Sequence, residues 1–291
     1  MRPTGSIPRI LTASLLLSAA RAAADGPYFS SSASAIWQDN VTNATPGDGV
    51  LGAFTLETGV DVRWLRSIDF STILSSGLTA TAGCCTTFGG LDSFAFGPRV
   101  ELRHKAGLGP LAPTLSLGLE ADGVLFGDSY RSNLNVAAEA GFSQRFGDNL
   151  QLVLDGRVGA CAARSDVFSG GFRSMGATLN WDLDETWRLK AIGGWRDGDI
   201  VADYAAERTP HGWVPIDTGA YNYAGPWQPV RTFSEPFIAY RGRAQTWSCG
   251  AGVSPALGRH TSLVLEFVRY DTGAYDRYVD NVVSAGVVHH F

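Results

Sequence analysis

The chain has 291 residues, of which 45% are hydrophobic, 11% aromatic and only 18% charged. It is too apolar and aromatic for a disordered segment. A formal charge of −5 and a pI near 5.5 exclude a general basic surface for nucleic acid.

In chain order, residues 1–24 read as a secretory signal. Arg2 and Arg9 form a basic start, Ile10 to Ala20 a short apolar core, and Ala22-Ala23-Ala24 places small residues before Asp25. The core is interrupted by Arg21 and is shorter than the ~20 residues a membrane-spanning helix needs. Loss of these three arginines leaves 20 basic and 28 acidic residues, a net of −8, on residues 25–291.

From Tyr28 to the end the sequence alternates apolar and polar residues. Phe54, Leu56, Val60, Val62 and Trp64 interleave with Thr55, Glu57, Gly59, Asp61 and Arg63. Leu115, Leu117 and Leu119 do the same, as do Leu134 to Phe142 and Leu150 to Val158. On a strand this period puts one kind of residue on each face. Strands are expected at 28–38, 52–66, 68–82, 93–105, 113–126, 133–146, 150–164, 172–182, 187–199, 237–257, 261–271 and 280–291. Several exceed the ~5–6 residues of soluble strands and suit the ~9–11 tilted residues that cross a bilayer. The tenth is overlong with shifting parity, which predicts a bulge or an extension above the membrane.

Short Gly/Asp/Asn turns such as Gly147-Asp148-Asn149 alternate with longer polar links near 39–51, 83–92, 127–132, 165–171, 199–236 and 272–278. Alternating short turns and long loops fit a transmembrane barrel, with both termini at the short-turn end. A strand in lipid leaves backbone groups that only a closed sheet satisfies. The fold expected for 25–291 is therefore all-β: a transmembrane antiparallel up-and-down β-barrel of about 12 strands. Aromatic girdles are expected from Tyr28, Phe29, Trp37, Trp64, Phe94, Phe96, Phe126, Phe146, Trp181, Trp187 and Tyr270. A secreted sandwich would also alternate, but has no use for such long strands.

Val283, Ala285, Val287, His289 and Phe291 share one face, and the sequence ends on Phe291. With the signal and the alternation, this resembles bacterial outer-membrane β-barrel proteins of the porin type. His289 departs from the aromatic or aliphatic residue usual two places before the end. The first strand, Ile36-Trp37-Gln38-Asp39-Asn40-Val41, is similar to the opening segment of some barrel porins encoded with polysaccharide-export genes. The resemblance implies an outer-membrane location, lipid as surrounding medium, and Phe291 as a signal read by the barrel-assembly machinery.

The polar face then lines the lumen. Arg99, Glu101, Arg103 and Lys105 form a ladder on the fourth strand, with Glu120 and Asp122 as partners across the hairpin. Arg63, Asp155, Arg157, Arg188 and Lys190 complete the candidate constriction. Charges this numerous need water or one another, so either a selective passage or a salt-bridged, closed interior is expected. Loop 199–236 carries Trp213, Tyr221, Tyr223 and Trp227, which would form a constriction, present faces to a sugar, or pack on one another.

Other chemistry is sparse. The five histidines lack metal-ligand spacing, and His289 and His290 point to opposite faces. Cys84, Cys85, Cys161 and Cys249 form neither a zinc motif nor a clear disulfide framework. No phosphate loop or dinucleotide fingerprint appears, so no cofactor is expected. The expected function is passage of small polar solutes or assistance to polysaccharide export. A plugged barrel acting through its loops is the second reading. A lipid-directed hydrolase is the third, and enzyme activity is not expected.

Overall fold

The computed structural model describes residues 27–45, 49–210, 212–215, 225–233, 235–273 and 277–291. The expected signal segment, residues 1–24, lies outside the described residues.

Among the described residues, fourteen strands occur: β1 (Tyr28–Gln38), β2 (Ala53–Ser67), β3 (Thr72–Cys85), β4 (Ser93–Lys105), β5 (Thr114–Phe126), β6 (Asn133–Phe146), β7 (Leu150–Ala163), β8 (Gly170–Asp182), β9 (Trp187–Thr209), β10 (Gly212–Pro215), β11 (Trp227–Val230), β12 (Phe237–Pro255), β13 (Thr261–Gly273) and β14 (Arg277–His290). Consecutive strands pair antiparallel from β1 to β9; β9 then pairs with β12, and β13 and β14 follow. β14 returns to β1, with Ser30 opposite His290 and Gln38 opposite Val282. The result is a closed, up-and-down barrel of 12 strands. The short β10 and β11 pair only with the outer ends of β9 and β12. Closure leaves the barrel no unpaired edge, which lipid demands.

The faces follow the alternation. Leu115, Leu117, Leu119 and Leu125 on β5, Leu134 and Val136 on β6, and Val158 on β7 are exposed apolar residues. Their outward set is what a protein surface in water avoids and a hydrocarbon layer accepts. Trp37, Trp64, Phe94, Phe96, Phe146, Trp181 and Trp187 are likewise exposed, as girdles require. Tyr28, Phe126 and Tyr270 depart from that expectation. All three have lumenal parity, Tyr28 opposite Arg63, and Tyr270 lines the outer cavity described below.

Two local features set the wall. In the β6–β7 turn Gly147 has a φ of +73°, a conformation glycine adopts freely. On β4, pairing with β5 lapses at Gly97 and Pro98 and resumes at Arg99 opposite Glu120. Pro98 has no N–H to give, and a Cβ on Gly97 would collide with the Ala121 carbonyl oxygen. The charged ladder of β4 begins directly after this close approach.

The overlong tenth barrel strand is explained by extension, not by a bulge. Pairing of β9 with β12 runs in one register from Trp187 opposite Pro255 to Ala205 opposite Phe237. β9 is thus ten residues longer than the segment ending at 199, and the hairpin rises past the neighbouring strands.

Candidate functional site: a charged lumen beneath a folded cap

Every candidate constriction residue has lumenal parity, because each lies on the polar side of its strand's alternation. Arg63 bonds Asp61 on the same strand at 2.7 Å. Arg103 bonds Glu101 in a two-pronged pair, both contacts at 2.9 Å. Arg188 holds Asp182 at 2.5 Å, and Lys190 reaches Glu266 at 2.8 Å. Asp155 packs over Gly176, whose missing side chain leaves the space. Lys105 ends the β4 ladder, and Asp122 lies opposite Asn135.

The hairpin pairing expected of Arg99 with Glu120 does not form. The two residues are opposite in register, yet the Arg99 guanidinium reaches two strands along to Glu139 at 2.8 Å. Glu120 is taken by Arg157, which also approaches Glu139 at 3.5 Å. A long guanidinium stem spans more than one strand spacing, so register alone does not choose the partner.

All these pairs join residues on one strand or on strands one or two apart. Among the described residues, no ion pair within the span ties opposite walls together. The charges run along the wall. A cavity of about 600 Å³ follows the β4–β8 wall, with Arg99, Glu101, Arg103, Glu139, Asp155 and Arg157 in its lining. A second of about 540 Å³ lies towards the outer end, beside Gln38, Asn135, Phe172, Arg196, Tyr270 and Asp280. A third, also about 540 Å³, opens among the short turns near Asp148, Asp182, Asp184 and Arg188.

The outer mouth is covered. The extension of β9 and β12 meets the loops that follow β1, β3, β5 and β7. Asp203 N–H donates to the Thr42 carbonyl at 2.8 Å, and Asn43 Nδ2 donates to the Val201 carbonyl at 2.9 Å. Arg131, in the β5–β6 loop, donates to both Asp203 carboxylate oxygens at 2.8 Å and to Thr232 Oγ1 at 2.9 Å. Thr232 in turn donates to Asp128 Oδ2 at 2.7 Å. Arg241 Nη1 donates to the carbonyls of Asp166 and Ser169 in the β7–β8 loop. Ser165 of that loop bonds Gln228 of β11.

Apolar packing completes the cap. Phe88, Val167, Val230, Phe233, Phe237 and Ala239 form one buried cluster. Phe233 lies 5.1 Å from Phe88 and 4.7 Å from Phe237, centroid to centroid. Arg131 also sits 4.5 Å over the Phe168 ring. Asp203 is fully buried; burial pushes its carboxyl above the usual value, against the opposing pull of Arg131.

Of the loop aromatics, Trp227 is exposed on β11 and stacks over Tyr240 with centroids 6.4 Å apart. Tyr221 and Tyr223 lie outside the described residues, and of Trp213 only the backbone, in β10, is described. Phe291 is exposed at the inner end, edge-on to His289 at 4.5 Å. Cys161 faces the lumen, whereas Cys249 is exposed on the outward face. Arg131 and Asp128 were invisible as cap residues in the sequence. A single arginine in a short polar loop carries no spacing signal.

No family model and no curated protein matches the sequence. Solved structures do match in shape. The COG4313 outer membrane channel from Pseudomonas putida F1 superposes with a TM-score of 0.59 at 10% identity, over 90% of this chain and 95% of that one. The KdgM porin in complex with disordered oligogalacturonate gives 0.45 at 9% identity, over 90% and 99%. LpxR from Salmonella typhimurium gives 0.38 at 10% identity, over 90% and 100%. The chain has the fold of the outer-membrane β-barrels.

Proposed function

We propose that this barrel passes small polar solutes through its lumen, with the β9–β12 cap controlling the outer mouth. The fold alone does not choose among functions. The observation that supports passage is the direction of the ion pairs. They run along the wall and leave polar, partly exposed groups facing cavities, as a wetted passage requires. Positive and negative groups alternate closely along the wall, which suits neutral polar or zwitterionic solutes, a saccharide among them.

Planar-bilayer recording tests this. Discrete conductance steps from the purified protein are expected, and their ion preference should change with Arg99→Ala. Silence in the full-length protein and in a variant with 203–239 replaced by a short turn would overturn the reading.

The cap favours a second reading, in which the interior stays closed and the outer loops act as a binding surface. Trp227 and the aromatic segment around it would then be the working face. We read the chain as non-enzymatic; turnover of phospholipid or of a glycolipid by the purified protein would replace that reading with a hydrolase. Phe291, at the end of the closing strand, is read as the residue offered to the assembly machinery, and residues 1–24 as the export signal.

A further inference from the structure

The outward face is not uniform around the barrel. On β1 to β7 the outer half of the lipid-facing set contains no acidic or basic residue: Ala33, Ala35 and Trp37; Phe54 and Leu56; Ala80 and Ala82; Phe94 and Phe96; Ala121 and Leu125; Leu134 and Val136; Val158 and Ala160. On the adjoining strands β8, β9, β12, β13 and β14 the same position carries Arg173, Asp197, Arg243, Arg269, Asp271 and Arg277. Arg173 and Arg243 pair with Asp197 and Arg277 with Asp271, and a third carboxylate, Asp199, lies opposite Arg243.

Their arrangement is built, not scattered. Asp197 lies between two guanidiniums, with Arg173 at 3.1 Å and Arg243 at 2.6 Å. The Asp197 side chain is only 6% exposed, while those of Arg173 and Arg243 are 64% and 71% exposed. One buried anion thus anchors two cations whose outer edges stay open. Arg277 pairs with Asp271 beside them, and Arg269 is exposed on the intervening outward face. Asp199, opposite Arg243 in register, adds a third carboxylate beside the group, with its side chain also lining the outer cavity and accepting from Gly171 N–H at 2.8 Å.

The level of this group is marked by tryptophan. Trp195 and Trp247 are opposite in register, with ring centroids 6.5 Å apart, one outward position inside Asp197. Arg173 lies 5.6 Å over the Trp195 ring. Indole rings collect at the headgroup level, so the arginines stand where lipid phosphates stand. Guanidinium geometry matches phosphate oxygens in two-point contacts.

We propose that the outer rim of β8–β14 is a binding site for phosphate-bearing lipid of the outer leaflet, seated on Arg173 and Arg243 and flanked by Arg269 and Arg277. The site lies on the outside of the wall and does not depend on an open lumen.

The test uses the full chain in mixed micelles with a hexa-acyl diglucosamine lipid carrying two phosphates, or the same lipid with both removed. Retained lipid is counted by native mass spectrometry. The intact protein should retain the phosphorylated form preferentially. Arg173→Gln with Arg243→Gln should lower that preference by about fivefold per arginine. Arg66→Gln, on the outward face at the opposite end of β2, should leave it unchanged. Unboiled gel mobility reports that each variant is folded; should the first pair fail to fold, Arg269→Gln with Arg277→Gln tests the same rim. Equal retention of the two lipids, or an unchanged preference in a folded arginine variant, would overturn the proposal. So would a variant that loses only self-association, since the rim would then be a contact between copies of the chain.

Discussion

The barrel wall and the cap are made from the same two strands in one unbroken register, yet they obey different rules. Below Asp197, β9 and β12 present one apolar face outward and one polar face inward. Higher up, from Ala202 to Tyr204 and from Phe237 to Tyr240, both faces are buried. Ala202, Tyr204, Ile238 and Tyr240 pack on one side, and Phe237 and Ala239 join the loop cluster on the other. Hydrogen-bonded pairing is indifferent to this change, because the backbone ladder is the same in both places. What changes is the medium. On the proposed reading, lipid and lumen water demand opposite chemistry on the two faces of the wall, whereas the cap lies between layers of protein. Ion pairs therefore carry different stakes. Those of the wall stay partly exposed, while Asp203 and Arg131 are nearly dry.

The largest expected effect comes from breaking the dry pair. Arg131→Ala leaves Asp203 buried without its guanidinium, a loss of about 3–5 kcal/mol for a broken buried pair. The loss should fall on the cap alone. Amide exchange in 200–206 and 237–241 should accelerate strongly, while exchange in β4–β7 and the unboiled gel mobility stay as they were. Equal acceleration throughout the wall would mean that cap and barrel form a single cooperative unit.

A somewhat smaller effect separates the two faces of the wall itself. Leu119 is 64% exposed in the middle of β5 on the outward side. Leu119→Arg should cost about 2–4 kcal/mol in reversible unfolding from lipid vesicles, since the cation sits in hydrocarbon. Ser116→Arg, on the lumenal side of the same strand, should cost under about 1 kcal/mol. Equal costs would contradict lipid as the outer medium.

Much of this contrast can be read from the residues. The wall is legible because a period of two over 11–15 residues admits one interpretation in each of β1 to β8, and ten of the twelve wall strands end within three residues of the expected positions. β3 and β9 show the limits. β3 begins at Thr72 instead of 68 because Ile68 and Asp69 are held in a turn by the Thr72 carbonyl. β9 runs on to Thr209 because Val-Ala-Asp-Tyr-Ala-Ala is buried on both faces and shows no alternation to follow. The lumenal residues are legible as a set, since parity places them. Their partners are not, because Arg99 chooses Glu139 over the directly opposed Glu120 by reach. The cap is illegible for a different reason: Arg131 lies 72 residues from Asp203 and 101 from Thr232, and only the closed wall brings these segments together.

The smallest effect on stability carries the most information about passage. Arg99 and Glu139 are about one-third exposed, with side-chain values of 32% and 28%, so water screens the pair. Removing either partner should change barrel stability by less than about 1 kcal/mol. The electrostatics of the lumen should nonetheless shift. Arg99→Ala leaves Glu139 with Arg157 as its remaining cation, at 3.5 Å, and that guanidinium is already engaged with Glu120. Two carboxylates then share one guanidinium at a stretch of wall that faces the 600 Å³ cavity. The reversal potential in a potassium chloride gradient should move towards potassium. Glu139→Gln removes a carboxylate and keeps both arginines, so it should move the potential towards chloride by a similar amount. Opposite shifts from the two partners, with unchanged unfolding midpoints, would show that ions travel past this pair. Matching shifts would place the current elsewhere and leave Arg99 and Glu139 as parts of the wall alone.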